Sequence, residues 1–391
     1  MAITLGGSGG GASSPLPYTQ FVVGQSKTFI VPITGRIKVV LTGGGGQGAF
    51  LPNSSGSPHA NYGDATGGGG GGYSEKTFDV TAGETFVVTI GSGGSSALAP
   101  NDINTARVGN NAGNSSFVTA SAAVSVNMVA NGGGGGQFSA ATSSVVSTAG
   151  GVGGTASGGD FNYTGGAGGS ISRNVGNQYN VATTGGGAVA LYGMPYHGGN
   201  ITMTVGFGSA TKLMATGGAG VGGHGGDVLV DDTGNIAYCS TGGSATKDGF
   251  TQETVTTTTL TTSVTAGGPT ISSTISLIDA QGHGGSSRHS SSGSTYGSHG
   301  GFGGGGGSSM GLTTIQNSYG FAGNGGGFAG GGSLSYANGN TNISTGRISA
   351  GIGGVGGGGS GAFSGRFHTL TGAINRFWSP GGDGMCIIMF V

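Results

Sequence analysis

Between residues 18 and 46 the chain reads YTQFVVGQSKTFIVPITGRIKVVLTGGGG, short runs of Val, Ile and Phe broken by Gly24, Pro32 and Gly35. Runs rich in β-branched and aromatic residues, punctuated this way, predict two or three strands. In GETFVVTIGSGG (83–94), Phe86, Val88 and Ile90 alternate with Thr85, Val87 and Thr89. Successive side chains of a strand point to opposite faces, so the first set shares one face and the second the other. The VTAGE before the strand reads as a turn. GDGMCIIMFV (382–391) is apolar on both faces and predicts a buried strand. Strands near both ends of the sequence predict one sandwich closed by both, with the remainder inserted between them. A further β-rich island, 251–278, contains TQETVTTTTLTTSV and TISSTISLI and reads as a Thr-rich hairpin. Apolar residues at helical spacing are missing, and glycine interrupts every helical stretch. The expected class is all-β, with little or no α-helix.

Between these islands lie glycine blocks, among them 43–46, 67–72, 132–136, 150–154, 165–169, 185–187, 217–226, 303–307, 323–332 and 351–359. Several repeat the unit X-G-G: Val152 and Thr155, Ala167 and Ser170, Ile352 and Val355, and the triplet Val221, His224 and Asp227. A period of three matches the polyproline II conformation, which has three residues per turn and rises about 3.1 Å per residue. X-G-G then places every side chain on one face and leaves two faces as bare backbone. Such helices make no internal hydrogen bonds, so their N–H and C=O groups need partners in neighbouring segments. The pattern therefore predicts a polyglycine II helix bundle rather than flexible linkers. Collagen is excluded, because the blocks are short and proline is scarce.

Composition agrees with an ordered chain. Glycine supplies 99 of 391 residues and proline 9, a level that signals low complexity when nothing else is present. Here 34% of residues are hydrophobic and the net charge is −1, which does not fit charge-driven disorder. No basic run supplies a nucleic-acid footprint. The opening MAITLGGSGG has neither the charged nor the apolar region of a secretory signal. The longest unbroken apolar run, Met385–Val391, is far shorter than the ~20 residues of a membrane helix. Cys239 and Cys386 lack metal spacing and read as two thiols rather than a disulfide.

Candidate chemistry is sparse. GGHGGDVLV (222–230) fits a calcium-binding nonapeptide, but as a single copy, and such copies complete one another's ligands. A glycine segment running into a strand at Val228–Val230 is the better reading. His197, His224, His283 and His299 each precede Gly-Gly, yet no metal is assigned to them. Asp231–Asp232 is the only adjacent acidic pair, and strand neighbours diverge, so it makes a poor acid/base couple. With no nucleophile elbow or P-loop, the chain is expected to be neither an enzyme nor a cofactor protein. Binding loops are favoured instead: VALYGMPYHGGN (189–200), SSRHSSSGSTYGSHGGF (286–302) and IQNSYGF (315–321) combine aromatics with polar neighbours. The candidate contact residues are Tyr192, Tyr196, His197, Arg288, His289, Tyr296, His299, Phe302 and Tyr319. Trp378, just before the last strand, reads as core.

The order IKVVLTGGGGQG, GGGGGGYSEKTFDVTAGETFVVTIGSGG, NNAGNSSFV, VANGGGGG and SPGGDGMCIIMFV resembles the glycine-rich domain of bacteriophage tail fibres and tail-tip adhesins. The likeness runs from about residue 18 onward and is strongest over 36–136 and 380–391. It implies virion location, polyglycine II helices in a sandwich, and end loops that contact a bacterial receptor, either polysaccharide or outer-membrane protein. It also implies other tail proteins as partners, a homotrimer, and no nucleic-acid partner. The expected division is a virion-attachment segment (1–17), a β-rich domain (18–136), a bundle with display loops and the Thr-rich island (137–379), and a closing strand (380–391). The alternatives are a purely structural virion protein, such as a head fibre or tail connector, an ice-binding polyglycine bundle, and a depolymerase.

Overall fold

A computed structural model of the chain describes residues 20–23, 25–52, 63–95, 107–140, 146–173, 180–191, 193–204, 212–230, 237–244, 287–289, 295–297, 299–300, 303–313, 320–338, 347–365, 375–377 and 379–391. Among them are strands, turns and extended segments, and no helix. The class is all-β, as the sequence predicts. The Thr-rich island, Asp231–Asp232, Trp378 and residues 1–17 lie outside the described residues.

At one end stand two five-stranded antiparallel sheets. The first runs in the order Gln20–Val23, Met385–Phe390, Gly35–Thr42, Tyr73–Val80, Phe161–Tyr163. The second runs Ala156–Ser157, Asn127–Ala130, Ser115–Ser121, Thr85–Thr89, Lys27–Ile30. Ile37, Val39, Leu41, Ile388 and Phe390 of the first face Phe29, Phe86, Val88, Phe117 and Met128 of the second. Phe86 stacks on Phe117 at 4.8 Å between ring centroids, and Phe78 meets Phe86 edge-on at 5.7 Å. Each such side chain contributes about 1.5–3 kcal/mol by leaving water. Ile90 packs against this core from its rim.

The strand Met385–Phe390 explains its own composition. Cys386, Ile388 and Phe390 enter the sandwich core, while Met385, Ile387 and Met389 are half-buried on the other side. There Met385 and Val40 touch a second cluster of Tyr73, Ala188, Val189, Tyr196, Ala219, Val221 and Phe328. The first sheet is therefore covered on both faces. Burial pushes the Cys386 thiol up to about 12, and Cys239 and Cys386 are not joined in a disulfide.

From the sandwich the glycine segments run side by side, and their hydrogen bonds rotate among partners in threes. Gly43, Gly46 and Ala49 donate to Gly72, Gly69 and Thr66; Gly44, Gln47 and Phe50 donate to Gly113, Asn110 and Arg107; Gly45 and Gly48 donate to Gly382 and Ser379. Segment 66–72 meets six others. Its N–H groups reach Gly359 and Gly356, Gly134 and Asn131, and Gly166. Its carbonyls accept from 43/46/49, from Gly187, and from Gly151 and Gly154. A Cβ on Gly69 would lie 2.0 Å from the Val152 carbonyl oxygen, and one on Gly71 would lie 2.1 Å from that of Gly43. Only glycine allows backbones to approach this closely.

Most glycine segments continue into a short strand at the far end, and these strands form four stacked sheets. The first is Val146–Thr148, Ile171–Arg173, Ile201–Met203 and Val228–Val230. Next come Phe138–Ala140, Gly63–Ala65, Asn180–Thr183, Lys212–Ala215 and Ala237–Cys239. The third is Ser287–His289, Ser309–Thr313, Leu334–Asn338, Ala362–Gly365 and Phe50–Pro52; the fourth is Thr295–Tyr296, Gly320–Phe321, Arg347–Ser349 and Asn375–Phe377. Pairing is parallel except at Val146–Thr148 and Phe138–Ala140. Ile171, Ile201, Met203 and Val228 pack on Ala182 and Met214 between the first two sheets. Arg173 and Asp64 form a buried ion pair there, and Thr148 Oγ1 donates to Asp64 Oδ2 at 3.2 Å.

Hydroxyls mark the passage from glycine segment to strand. Thr184 Oγ1 accepts from Gly67 N–H at 3.1 Å and donates to the Gly169 carbonyl at 2.7 Å. Thr216 repeats this between Gly185 and Gly199, and Ser240 between Gly217 and Gly226. Each hydroxyl is both acceptor and donor, so it bridges layers where the backbone changes conformation.

Candidate binding surface

The chain crosses from one end to the other repeatedly, and its connections divide by end. At the sandwich end, tight turns link consecutive glycine segments, at 191–194, 220–223, 327–328 and 355–356. Gly193 and Gly356 hold φ of 77° and 67° there, a left-handed conformation that glycine adopts without cost, and Phe328 holds 66°. At the other end the described chain leaves at Pro52, Ser95, Ala140, Arg173, Thr204, Val230, His289, Thr313, Asn338 and Gly365. It returns at Gly63, Arg107, Val146, Asn180, Lys212, Ala237, Thr295, Gly320, Arg347 and Asn375. The rim of the four sheets is thus where these ten connections begin and end, whereas the connection 245–286 departs from Ser244 beside the 220–223 turn at the sandwich end.

The nine candidate contact residues are split between the ends. Arg288 and His289 belong to the strand Ser287–His289 and Tyr296 to Thr295–Tyr296, both at the rim. Tyr319 lies outside the described residues, in the connection that leaves the rim at Thr313. Tyr192 and Phe302 also lie outside the described residues, but the residues that flank them, Leu191 with Gly193 and Gly300 with Gly303, belong to the sandwich side. Tyr196 does not lie on an exposed loop: its ring is buried in the cluster against the first sheet. Ala188, Val189 and Leu191 likewise pack toward Tyr73 and Met385, while Met194 is exposed.

His197, His224 and His299 have a backbone role. The outermost glycine segments lack a further neighbour, and side chains supply the missing acceptors. His224 Nδ1 accepts the His197 N–H at 3.1 Å, and His299 Nδ1 accepts that of Asn324 at 2.8 Å. Asn324 Oδ1 accepts from Ile352, Asn200 Oδ1 from Ser170, Asn111 Oδ1 from Gly135 and Asn114 Oδ1 from Gly132. Asp227 Oδ1 accepts from Asn200 N–H at 2.7 Å, and Asp383 Oδ1 from Gly93 at 2.7 Å. The aspartate of the nonapeptide motif is thus occupied by the backbone, and Val228–Val230 follows it as a strand. An imidazole accepting at Nδ1 carries its proton on Nε2, so neither His224 nor His299 can offer Nε2 to a metal without giving up its backbone bond. No group of three or more metal-ligating side chains occurs among the described residues.

Outward side chains follow the three-residue spacing. Val152, Thr155, Ala167, Asp227, Ile352 and Val355 are exposed. Val221 departs from the pattern, because it sits in a turn and joins the buried cluster. Uninterrupted glycine runs such as 67–72 and 357–359 are interior, whereas X-G-G blocks lie outside. That distinction was a readable signal for layer position.

No protein-family model matches this chain, and no curated protein matches it.

Proposed function

We propose that the chain is a receptor-binding protein of a bacteriophage tail, a tail fibre or tail-tip protein that attaches without covalent chemistry to a bacterial surface polysaccharide or outer-membrane protein. The observation that carries this reading is the segregation of connections: tight turns at the sandwich end and ten longer connections at the opposite rim, with 245–286, which departs from Ser244 beside Gly222, as the exception. Those longer connections are NSSGSPHANY (53–62), NVGNQY (174–179), TIQNSY (314–319), GNTNISTG (339–346) and their neighbours. They are rich in Asn, Ser, Gly and Tyr, the composition of adaptable recognition loops on a rigid frame. Several copies in a homotrimer add avidity to weak single contacts. The virion, other tail proteins as partners, and the absence of catalysis all belong to this reading.

The glycine segments are read as polyglycine II helices in a hexagonally packed bundle. Supporting this are the return to the same partner every third residue, the six neighbours of segment 66–72, and the backbone-to-backbone approach at Gly69 and Gly71. The ice-binding alternative has less support. Asn200, His197, His224 and Asp227 interrupt the Ala/Val/Thr array that begins with Val152, Thr155 and Ala167.

The test is binding of labelled protein to a panel of bacterial strains, beside variants with 174–179 or 314–319 replaced by Gly/Ser. Strain-specific binding that the variants lose, at unchanged melting temperature, is expected. Equal binding by the variants would remove the rim from the mechanism. No binding to any strain would favour a structural virion protein.

A further inference from the structure

We infer that segment 224–227 is an acid-releasable latch on the flank of the glycine layers. Three hydrogen bonds join it to segment 195–200: His197 N–H to His224 Nδ1, Gly225 N–H to the His197 carbonyl, and Asn200 N–H to Asp227 Oδ1. Two of the three end on ionisable side chains, the His224 imidazole and the Asp227 carboxylate. The equivalent positions at Gly132, Gly135, Ser170 and Ile352 use asparagine oxygens, which do not titrate. The same local job is done by asparagine in four places and by a single ionisable group at Asn324 (His299) and Gly93 (Asp383), and only here do an imidazole and a carboxylate act on one segment.

The tautomers are fixed by their partners. The carbonyl of Gly198 can only accept, so His197 Nδ1, 2.8 Å away, carries a proton. His224 Nδ1 must be bare to accept the His197 N–H. Protonating it would set donor against donor and break the bond. The two rings lie 3.8 Å apart between centroids, and Tyr196 meets His224 edge-on at 5.1 Å. The groups facing His224 are therefore His197 and Tyr196 on the neighbouring segment and Asp227 on its own. Segment 240–244 on the inner side, STGGS, brings no titratable side chain. Burial and then His197 push His224 below the usual histidine value, against an opposing pull from Asp227. With the folded value below the unfolded one, the unfolded chain binds more protons. The latch is fully closed above the unfolded value and opens as pH falls through the folded one. Opening uncovers Tyr196, and the lifted segment lies between Val221 of one buried cluster and Val228 of another.

Amide hydrogen exchange followed by mass spectrometry, at about pH 7.5 and about pH 4.5 and normalised to intrinsic rates, tests this. Segment 195–200 should lose protection about tenfold or more in acid while Phe86–Val88 in the sandwich core keeps its own. The double variant His224→Asn with Asp227→Asn should keep segment 195–200 protected at both pH values. Unchanged protection in the wild type, or an equal acid loss in the variant, would overturn the inference. Loss in the core together with the segment would also overturn it, because acid would then be unfolding the whole molecule.

Discussion

At the scale of single residues, glycine 69 and valine 152 are opposite cases. A methyl at Gly69 would meet the Val152 carbonyl oxygen at 2.0 Å, with backbone on every side to resist movement. Gly69→Ala should cost about 3 kcal/mol or more, since overpacking against rigid neighbours is at the upper end of such penalties. Val152→Ala, on the exposed face, should stay within about 0.5 kcal/mol. Denaturant midpoints measure both, and a wild-type midpoint for Gly69→Ala would mean the segments are not packed. Phe328 offers a finer test. Its turn, closed by Ala329 N–H to the Gly326 carbonyl, repeats the turn Gly354–Gly357, but a phenylalanine at φ 66° stands where the other has Gly356. Burial in the cluster with Tyr196 and Val189 offsets the strain. Phe328→Ala loses packing and keeps strain, at about 3–5 kcal/mol. Phe328→Gly loses packing but relieves strain, and should be milder by about 1 kcal/mol.

Elements are joined by small polar groups more than by large apolar ones. Thr184→Val keeps the shape of the side chain but strands the Gly67 N–H and the Gly169 carbonyl, both buried. It should lower stability by about 2–4 kcal/mol, whereas Thr184→Ser should cost under about 1 kcal/mol. Thermal melts of the pair decide it. Glu84 ties two turns together, accepting from Ala123 N–H at 2.8 Å and Thr81 N–H at 2.9 Å. Those bonds hold its carboxyl below the usual value. Its contribution is therefore present above the unfolded value and is lost as pH falls through the folded one. Glu84→Gln should melt lower than wild type near neutrality and converge with it in acid; parallel curves would refute the assignment. The strands themselves were legible. Phe86 and Val88 alternate with Thr85 and Val87, and burial follows that alternation. The hydroxyl bridges were not, because Thr184 and Thr216 look like any Thr before glycine until their partners, far apart in sequence, are known.

For the whole molecule, the sequence carried the class and the outward face of most X-G-G blocks, Val221 excepted, but not which block lies beside which. Glycine runs 67–72 and 185–187 are interchangeable by composition. Their neighbours are set by how many times the chain has crossed, and composition does not encode that number. The end at which a connection emerges depends on the same count. Tyr196 was therefore read as a contact residue, although an even-numbered crossing, 184–190, returns the chain to the sandwich just before it. The glycine layers and the sandwich share chain segments and the Tyr73–Phe328 cluster, so they should unfold together. A single calorimetric endotherm is expected, and two would separate them. Strand Met385–Phe390 carries a last consequence, for time rather than stability. It lies between Gln20–Val23 and Gly35–Thr42, and the contact between Thr42 and Met385 spans 343 residues. Loops that long must close before such pairs reward the chain, and topologies of this kind are slow to form. While the chain is being synthesised, the first sheet keeps an empty slot until residues 385–390 emerge. Newly made protein therefore spends its longest vulnerable interval with an open sheet edge, the state in which chaperones or aggregation would find it.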